Sequence, residues 1–141
     1  MPTANRIMIV DDDPALVEGL QLALQPTWEV FTATTGLSAL ETFTGTSPDL
    51  VLLDYRLPDI PGLTILRLIN QMSPETGVIL ITGYGSEELA VQAFRSGVRD
   101  YIKKPIDLGE LRARIALALQ ARPAPRPAPL RLETTPRTAE P

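Results

Sequence analysis

The chain has 141 residues, enough for one domain with a real core and too few for two ordinary ones, and it contains no cysteine and no histidine. Disulfides, thiolate chemistry, zinc sites built on Cys or His and an imidazole base are thereby excluded, so any chemistry rests on carboxylates, hydroxyls, amines or a borrowed cofactor. The net charge is −4, but residues 122–141 hold four Arg against two Glu, leaving nine basic and fifteen acidic side chains in residues 1–121; a body that acidic does not attract nucleic acid by itself, and no direct nucleic-acid binding is expected.

No apolar run approaches the roughly 20 residues of a membrane span, and the opening "MPTANR" is not followed by the separate apolar segment of a signal peptide. A soluble, cytoplasmic protein is the expectation. Along the chain, short runs of strand type alternate with longer segments of helical period. "RIMIV" (6–10) is the first strand, and Leu16, Leu20 and Leu24 mark a helix face behind it. "EVFTA" (29–33) is followed by a helix marked by Leu37 and Leu40. "LVLL" (50–53) precedes one marked by Leu63, Leu66 and Ile69, and "VILIT" (78–82) precedes one marked by Ala90, Ala93, Phe94 and Gly97. After "RDYIK" (99–103) a last helix, 107 to about 121, is marked by Leu108, Leu111, Ile115 and Leu119.

The first, third and fourth strands are apolar at consecutive positions, as in a parallel sheet covered by helices on both faces. The expected fold is α/β: a flavodoxin-like (βα)5 unit over residues 1–121 with a five-stranded parallel sheet ordered 2-1-3-4-5. Helix starts are signalled by Asp13 ahead of Pro14, by Ser86 ahead of two acids, and by Asp107 with Glu110 in capping-box spacing. Residues 122–141 carry six of the fourteen prolines and lack the apolar residues to form a core. They read as a Pro/Arg-rich disordered tail or linker, with a docking or nucleic-acid arm built on the arginines as the alternative.

In an open parallel sheet, ligands bind outside the carboxyl ends of the strands where strand order reverses. The first strand ends in Asp11 and Asp12, the third in Asp54, the fourth in Thr82, and the fifth in Lys103, Lys104 and Pro105. The order 2-1-3-4-5 brings Asp11, Asp12 and Asp54 together, flanked by Thr82 and one lysine. Carboxylates about 4 Å apart repel by roughly 4 kcal/mol per pair at an effective dielectric near 20. The cluster therefore calls for a cation, and an all-oxygen donor set favours a hard ion such as Mg2+. With a metal on one side, the Lys104 ammonium on the other and the Thr82 hydroxyl as donor, Asp54 is placed to accept a phosphoryl group as a mixed anhydride. Taken singly, Asp13 is a helix cap, Asp54 could be a turn residue and Thr82 a strand end; it is their convergence that carries the argument.

"IVDDDP", "DLVLLDYRLPDIPGL", "VILITGY" and "AFRSGVRDYIKKP", in this order and spacing, resemble the response-regulator receiver domains of bacterial two-component signalling, over about residues 5–121. The resemblance implies that Asp54 is the phosphoacceptor, that Asp11 and Asp12 hold Mg2+ together with the backbone carbonyl of Arg56, and that Lys104 binds the phosphoryl group, with a cis peptide to Pro105. It pairs Thr82 with Tyr101 as a switch in which the hydroxyl moves toward the phosphate and the ring turns inward. It further implies a readout face on the fourth helix, fifth strand and fifth helix, and a phosphoryl donor that docks on the first helix and the loop around Pro105. Because the chain lacks histidine, that donor must be another protein, a histidine kinase or phosphotransfer protein. The output is a downstream protein partner or an attached effector domain, and a phosphorylation-dependent homodimer is compatible with the pattern.

Asp59 stands where the family often has Gly, and Pro61 where it often has Asp or Asn; Pro58 and Gly62 match, so a stiffer loop around an intact site is expected. The positions that often set phosphoryl lifetime in the family, two beyond Asp54 and two beyond Thr82, are here Arg56 and Tyr84, both bulky, and the resemblance thus implies slow autodephosphorylation. Two other classes compete. Asp11 and Asp13 also form a D-x-D after a first strand, which would suit a Mg2+-dependent phosphatase of haloacid-dehalogenase type with Asp11 as nucleophile, although Ala15 and the missing late acidic pair depart from it. A docking module that takes no phosphate is the third reading. "TGYGSEE" (82–88) lacks the third glycine of a dinucleotide loop, and the acidic cluster disfavours a flavin phosphate.

Overall fold

The computed structural model describes residues 5–83 and 85–120. Ten elements alternate in it: β1 (Arg6–Val10), α1 (Pro14–Leu24), β2 (Glu29–Ala33), α2 (Gly36–Thr46), β3 (Leu50–Asp54), α3 (Gly62–Met72), β4 (Gly77–Thr82), α4 (Glu87–Arg95), β5 (Asp100–Lys103) and α5 (Leu108–Gln120). All four strand pairings are parallel and the sheet order is β2-β1-β3-β4-β5.

The consecutive apolar residues of the central strands divide between two cores, because successive side chains of a strand point to opposite faces. Met8, Val10, Val51, Leu53, Val78 and Leu80 pack with α2, α3 and α4. Ile7, Ile9, Leu50, Leu52, Ile79 and Ile81 pack with α1 and α5. With water excluded from both faces, β3 and β4 are buried along their whole length, and the polar groups that end them leave an apolar environment only at the strand tips.

The helix caps follow local chemistry. The Asp13 carboxylate accepts from the N–H groups of Ala15 and Leu16 with Pro14 in the first turn, and Ser86 accepts from Leu89 N–H. Asp107 Oδ2 accepts from Glu110 N–H, whereas the Glu110 carboxylate pairs with Arg114 one turn on. Thr35 and Ser38 form a reciprocal capping box at α2.

Two helix faces differ from the expectation. On α2 the buried residues are Gly36, Ala39 and Phe43, with Leu40 at the edge of the core, while Leu37 is 59% exposed. The cap at Thr35 sets the rotation of the helix, and it turns the first leucine to solvent. On α4 the inward pair is Leu89 and Ala93, one turn apart, so Phe94 lies outside with 52% exposure. Gly97 belongs to no helix face: at φ +100° it follows the C-cap Ser96, its N–H bonding to Phe94 O and that of Val98 to Ala93 O. That is a Schellman ending, for which the left-handed conformation favours glycine. Because Phe43 is buried on α2 and Leu37 is exposed, Phe43→Ala should cost about 3–5 kcal/mol and Leu37→Ala under about 0.5 kcal/mol, as read from urea unfolding.

Candidate functional site

Parallel pairing of β1 with β3, in register Val10 to Leu53, sets Asp11 and Asp54 side by side one residue beyond the apolar ladder. Asp11 is 4% exposed and Asp54 6%; Asp12 is exposed. One carboxylate oxygen from each of the three lies within 4.8 Å of the others. Opposite them Lys104 places its Nζ 2.8 Å from Asp11 Oδ2 and 3.8 Å from Asp54 Oδ1. Its backbone N–H bonds to Thr82 O at 2.8 Å, which ties the lysine to the end of β4, and the Lys104–Pro105 peptide is cis. Thr82 itself is fully buried.

Burial is the main reason that the Asp54 carboxyl is pushed up to about 6; the charge of Asp11 adds to it, Lys104 and the Arg56 backbone N–H oppose it, and Asp12 raises it slightly further. Lys104 shows the complementary effect. Burial alone would lower its ammonium, but the hydrogen bond and charge of Asp11, with the charges of Asp54 and Asp12, hold it above the ordinary lysine value. Three carboxylates against one ammonium leave a deficit that a divalent cation would neutralise. The donor set is oxygen only, partly buried and open on the Asp12 side, which suits Mg2+ and its retained waters.

Tyr101 is the cross-strand partner of Leu80, and Thr82 follows Leu80 by two positions, so both switch candidates lie on the α3/α4 face. The Tyr101 ring packs against that core. A Cβ on Gly85 would lie 2.9 Å from the Tyr101 hydroxyl oxygen, so the loop after β4 runs directly over it. Arg56 is exposed, and Tyr84 and residues 121–141 lie outside the described residues. The loop after Asp54 closes tightly: Gly62 N–H bonds to Tyr55 O at 2.9 Å, and a Cβ at Gly62 would come within 2.5 Å of Asp54 O, an approach only glycine permits.

Sequence reasoning noted Asp59 as a departure but did not find its partners. Oδ1 accepts from Gly36 N–H at 2.7 Å and Ile60 N–H at 2.9 Å, and Oδ2 accepts from Leu37 N–H at 2.9 Å. The Leu37 and Gly36 N–H groups hold this carboxyl below the usual range. An acid at this position was the available signal; the 23-residue separation from Gly36 hid its meaning.

Known proteins share this fold. The family model described as the response regulator receiver domain matches residues 7–116. The response regulator protein PilR of Pseudomonas aeruginosa is 40% identical over 119 residues, 84% of this chain and 27% of PilR. The regulatory protein AtoC of Escherichia coli is 41% identical over 122 residues, 85% of this chain and 26% of AtoC. The chain thus spans about a quarter of the length of these curated relatives. Among solved structures, a CheY-like receiver domain protein from Methanospirillum hungatei aligns with a TM-score of 0.80 at 32% identity, covering 83% of this chain and 94% of that one. The BeF3-activated DrrB receiver domain aligns with a TM-score of 0.79 at 34% identity, covering 84% and 100%.

The raised Asp54 carboxyl contributes its own pH dependence to the stability of the metal-free protein. A folded-state value near 6 against about 3.9 in the unfolded chain means that the native state holds the extra proton between these limits. Stability from this group is therefore complete below about pH 4 and lost as pH rises through about 6, by about 3 kcal/mol. Asp54→Asn should remove that dependence. In urea unfolding with chelator, its stability advantage over the parent should grow by about 1 kcal/mol from pH 5 to pH 7.5, and excess Mg2+ should shrink it.

Proposed function

The chain belongs to the family of response-regulator receiver domains, and from that premise we propose that it is a phosphorylation-dependent signalling switch whose phosphoacceptor is Asp54. The observation that carries the proposal is the buried Asp54 carboxylate between the Lys104 ammonium and the Asp11–Asp12 pair. The donor is a phosphohistidine of a histidine kinase or phosphotransfer protein. An Asp54 oxygen attacks phosphorus, the N–P bond breaks, the electron pair returns to the donor imidazole, and an acyl phosphate remains on Asp54.

Asp11, Asp12, Asp54 and the Arg56 backbone carbonyl would hold Mg2+, which when bound offsets negative charge on the phosphoryl oxygens. The remaining work belongs to the chain. Lys104, already between Asp11 and Asp54, turns its ammonium to a phosphoryl oxygen as a point charge. The Thr82 hydroxyl donates to another. That contact exists only in the phosphorylated state, so it biases the equilibrium toward the conformer with Tyr101 turned inward. The surface that changes is α4–β5–α5, where Val91 and Phe94 of α4 and Leu117 of α5 are exposed apolar groups suited to a protein partner. The donor approaches over α1 and the loop at Pro105. Residues 1–121 form the switch and residues 122–141 a linker or tail in this reading. Its output passes to a partner or to an effector domain, as the greater length of PilR and AtoC suggests.

The competing phosphatase reading needs Asp11 as nucleophile, yet here Asp11 is bonded to Lys104 and to the Asp13 N–H. Incubation with acetyl phosphate and Mg2+, followed by mass mapping, separates the readings. A single phosphoryl group on the Asp54 peptide, lost in Asp54→Asn, is expected. Loss only in Asp11→Asn would support the phosphatase, and no adduct from any donor would support a docking module. Thr82→Ala should keep phosphorylation and lose the conformational response. Arg56→Ala with Tyr84→Ala should shorten the acyl-phosphate half-life several-fold by admitting water; an unchanged half-life removes their screening role.

A further inference from the structure

The loop of residues 55–61 begins and ends at the phosphorylation site. Tyr55 N–H bonds to Ile81 O at 3.1 Å, and Gly62 N–H returns to Tyr55 O. Between these anchors, Arg56 supplies the N–H that bonds the Asp54 carboxylate and, in the reading above, the carbonyl that would help hold Mg2+. A seven-residue loop fixed only at its base would leave the two peptides that flank the Arg56 Cα free to rotate.

Its tip is fixed as well, and to another element. A helix begins with four N–H groups that have no partner within it. At α2 the Thr35 and Ser38 N–H groups are taken by the Thr35–Ser38 box, and the Gly36 and Leu37 N–H groups are taken by Asp59. The seam is close-packed: a Cβ on Gly36 would lie 2.8 Å from Ile60 Cβ and 3.1 Å from Asp59 Oδ1. Asp59 thus binds three N–H groups at once, two from α2 and one from its own loop.

We propose that Asp59 is a positioning residue for the phosphorylation site: by fastening the tip of the 55–61 loop to the N-terminus of α2, it holds the backbone on either side of the Arg56 Cα, keeping the N–H on Asp54 and the carbonyl available to a bound Mg2+. This rests on the phosphorylation reading for its purpose, but its physical content is the affinity of the site for the metal. Preorganisation of this kind acts on binding before it acts on chemistry. Removing the clamp should therefore raise the Mg2+ concentration needed for phosphorylation and leave the rate at saturating Mg2+ near that of the parent.

The test is calorimetric titration with Mg2+ alone, beside thermal unfolding and phosphorylation by acetyl phosphate. Asp59→Ala should weaken Mg2+ binding roughly tenfold. Asp59→Asn removes the same charge but can keep both Oδ1 bonds, and should bind Mg2+ more tightly than the alanine variant. Gly36→Ala keeps the charge and favours the helix, yet its methyl pushes the seam apart, and it too should weaken binding. Unchanged affinity in Asp59→Ala with a lowered Tm would reduce Asp59 to a helix cap and overturn the proposal. An asparagine variant as weak as alanine, or parental affinity in Gly36→Ala, would overturn it as well, since charge alone would then account for the effect. A parent chain that binds Mg2+ but takes no phosphoryl group would refute the phosphorylation reading while leaving the positioning effect measurable; one that binds no Mg2+ would refute both.

Discussion

One ammonium shared among three carboxylates is the constraint on which the rest of this structure depends. Lys104 sits 2.8 Å from Asp11 and 3.8 Å from Asp54, so its charge is committed to the first and only partly available to the second. Asp54 is left buried with an excess of negative charge around it, and its carboxyl rises to about 6 as a result. Such a group is expensive to keep in a fold. It is tolerable where a cation completes the charge balance, and useful where a further anionic group must later be exchanged against that cation and the same lysine. The deficit that weakens this state is thus the property that would make the site responsive to a cation and an anionic group.

The sheet order follows from the same constraint. Asp11 and Asp54 are separated by 43 residues in the chain and meet because β1 pairs directly with β3. Both strands must be apolar on both faces for their tips to be desolvated, and both cores supply that cover. Thr82 and Lys104 are joined across the β4–β5 edge through the Lys104 N–H and Thr82 O. The hydroxyl that would sense a phosphoryl group and the ammonium that would bind it are therefore held by one backbone contact, which couples the site to β5 and the helices beside it.

The strands and their order were legible in the sequence because a doubly covered strand has a distinctive composition, as Ile7 to Val10 and Val78 to Ile81 show. The cluster was legible for a related reason: charges placed directly after such runs have nowhere to go except the strand tips. Helix rotation was less so. Leu37 and Phe94 are apolar residues on the surface, and an apolar count along α2 or α4 has no means to discount them. What decides the inward face is the cap and the small residues that let the helix approach, Gly36 and Ala39 on α2 and Ala93 on α4. Those carry little weight on any hydrophobicity pattern. The Asp59 contact was illegible for a stronger reason, since it joins a loop to the first turn of a helix that only the finished fold brings beside it.

That contact also explains how the loop tolerates Pro61. At the head of α3 a residue such as Asp or Asn would cap the helix through its side chain, whereas Pro61 makes no side-chain bond there, and the Thr64 and Ile65 N–H groups rely on its carbonyl. The capping carboxylate has in effect moved two positions upstream and changed helices, serving α2 in place of α3. The two arrangements differ in what they restrain. A cap at position 61 would stiffen only the entry to α3, whose start is already fixed by the Gly62 contact with Tyr55 O. A carboxylate at position 59 restrains the free end of the loop instead, three residues from Arg56, where restraint bears directly on the peptide beside Asp54.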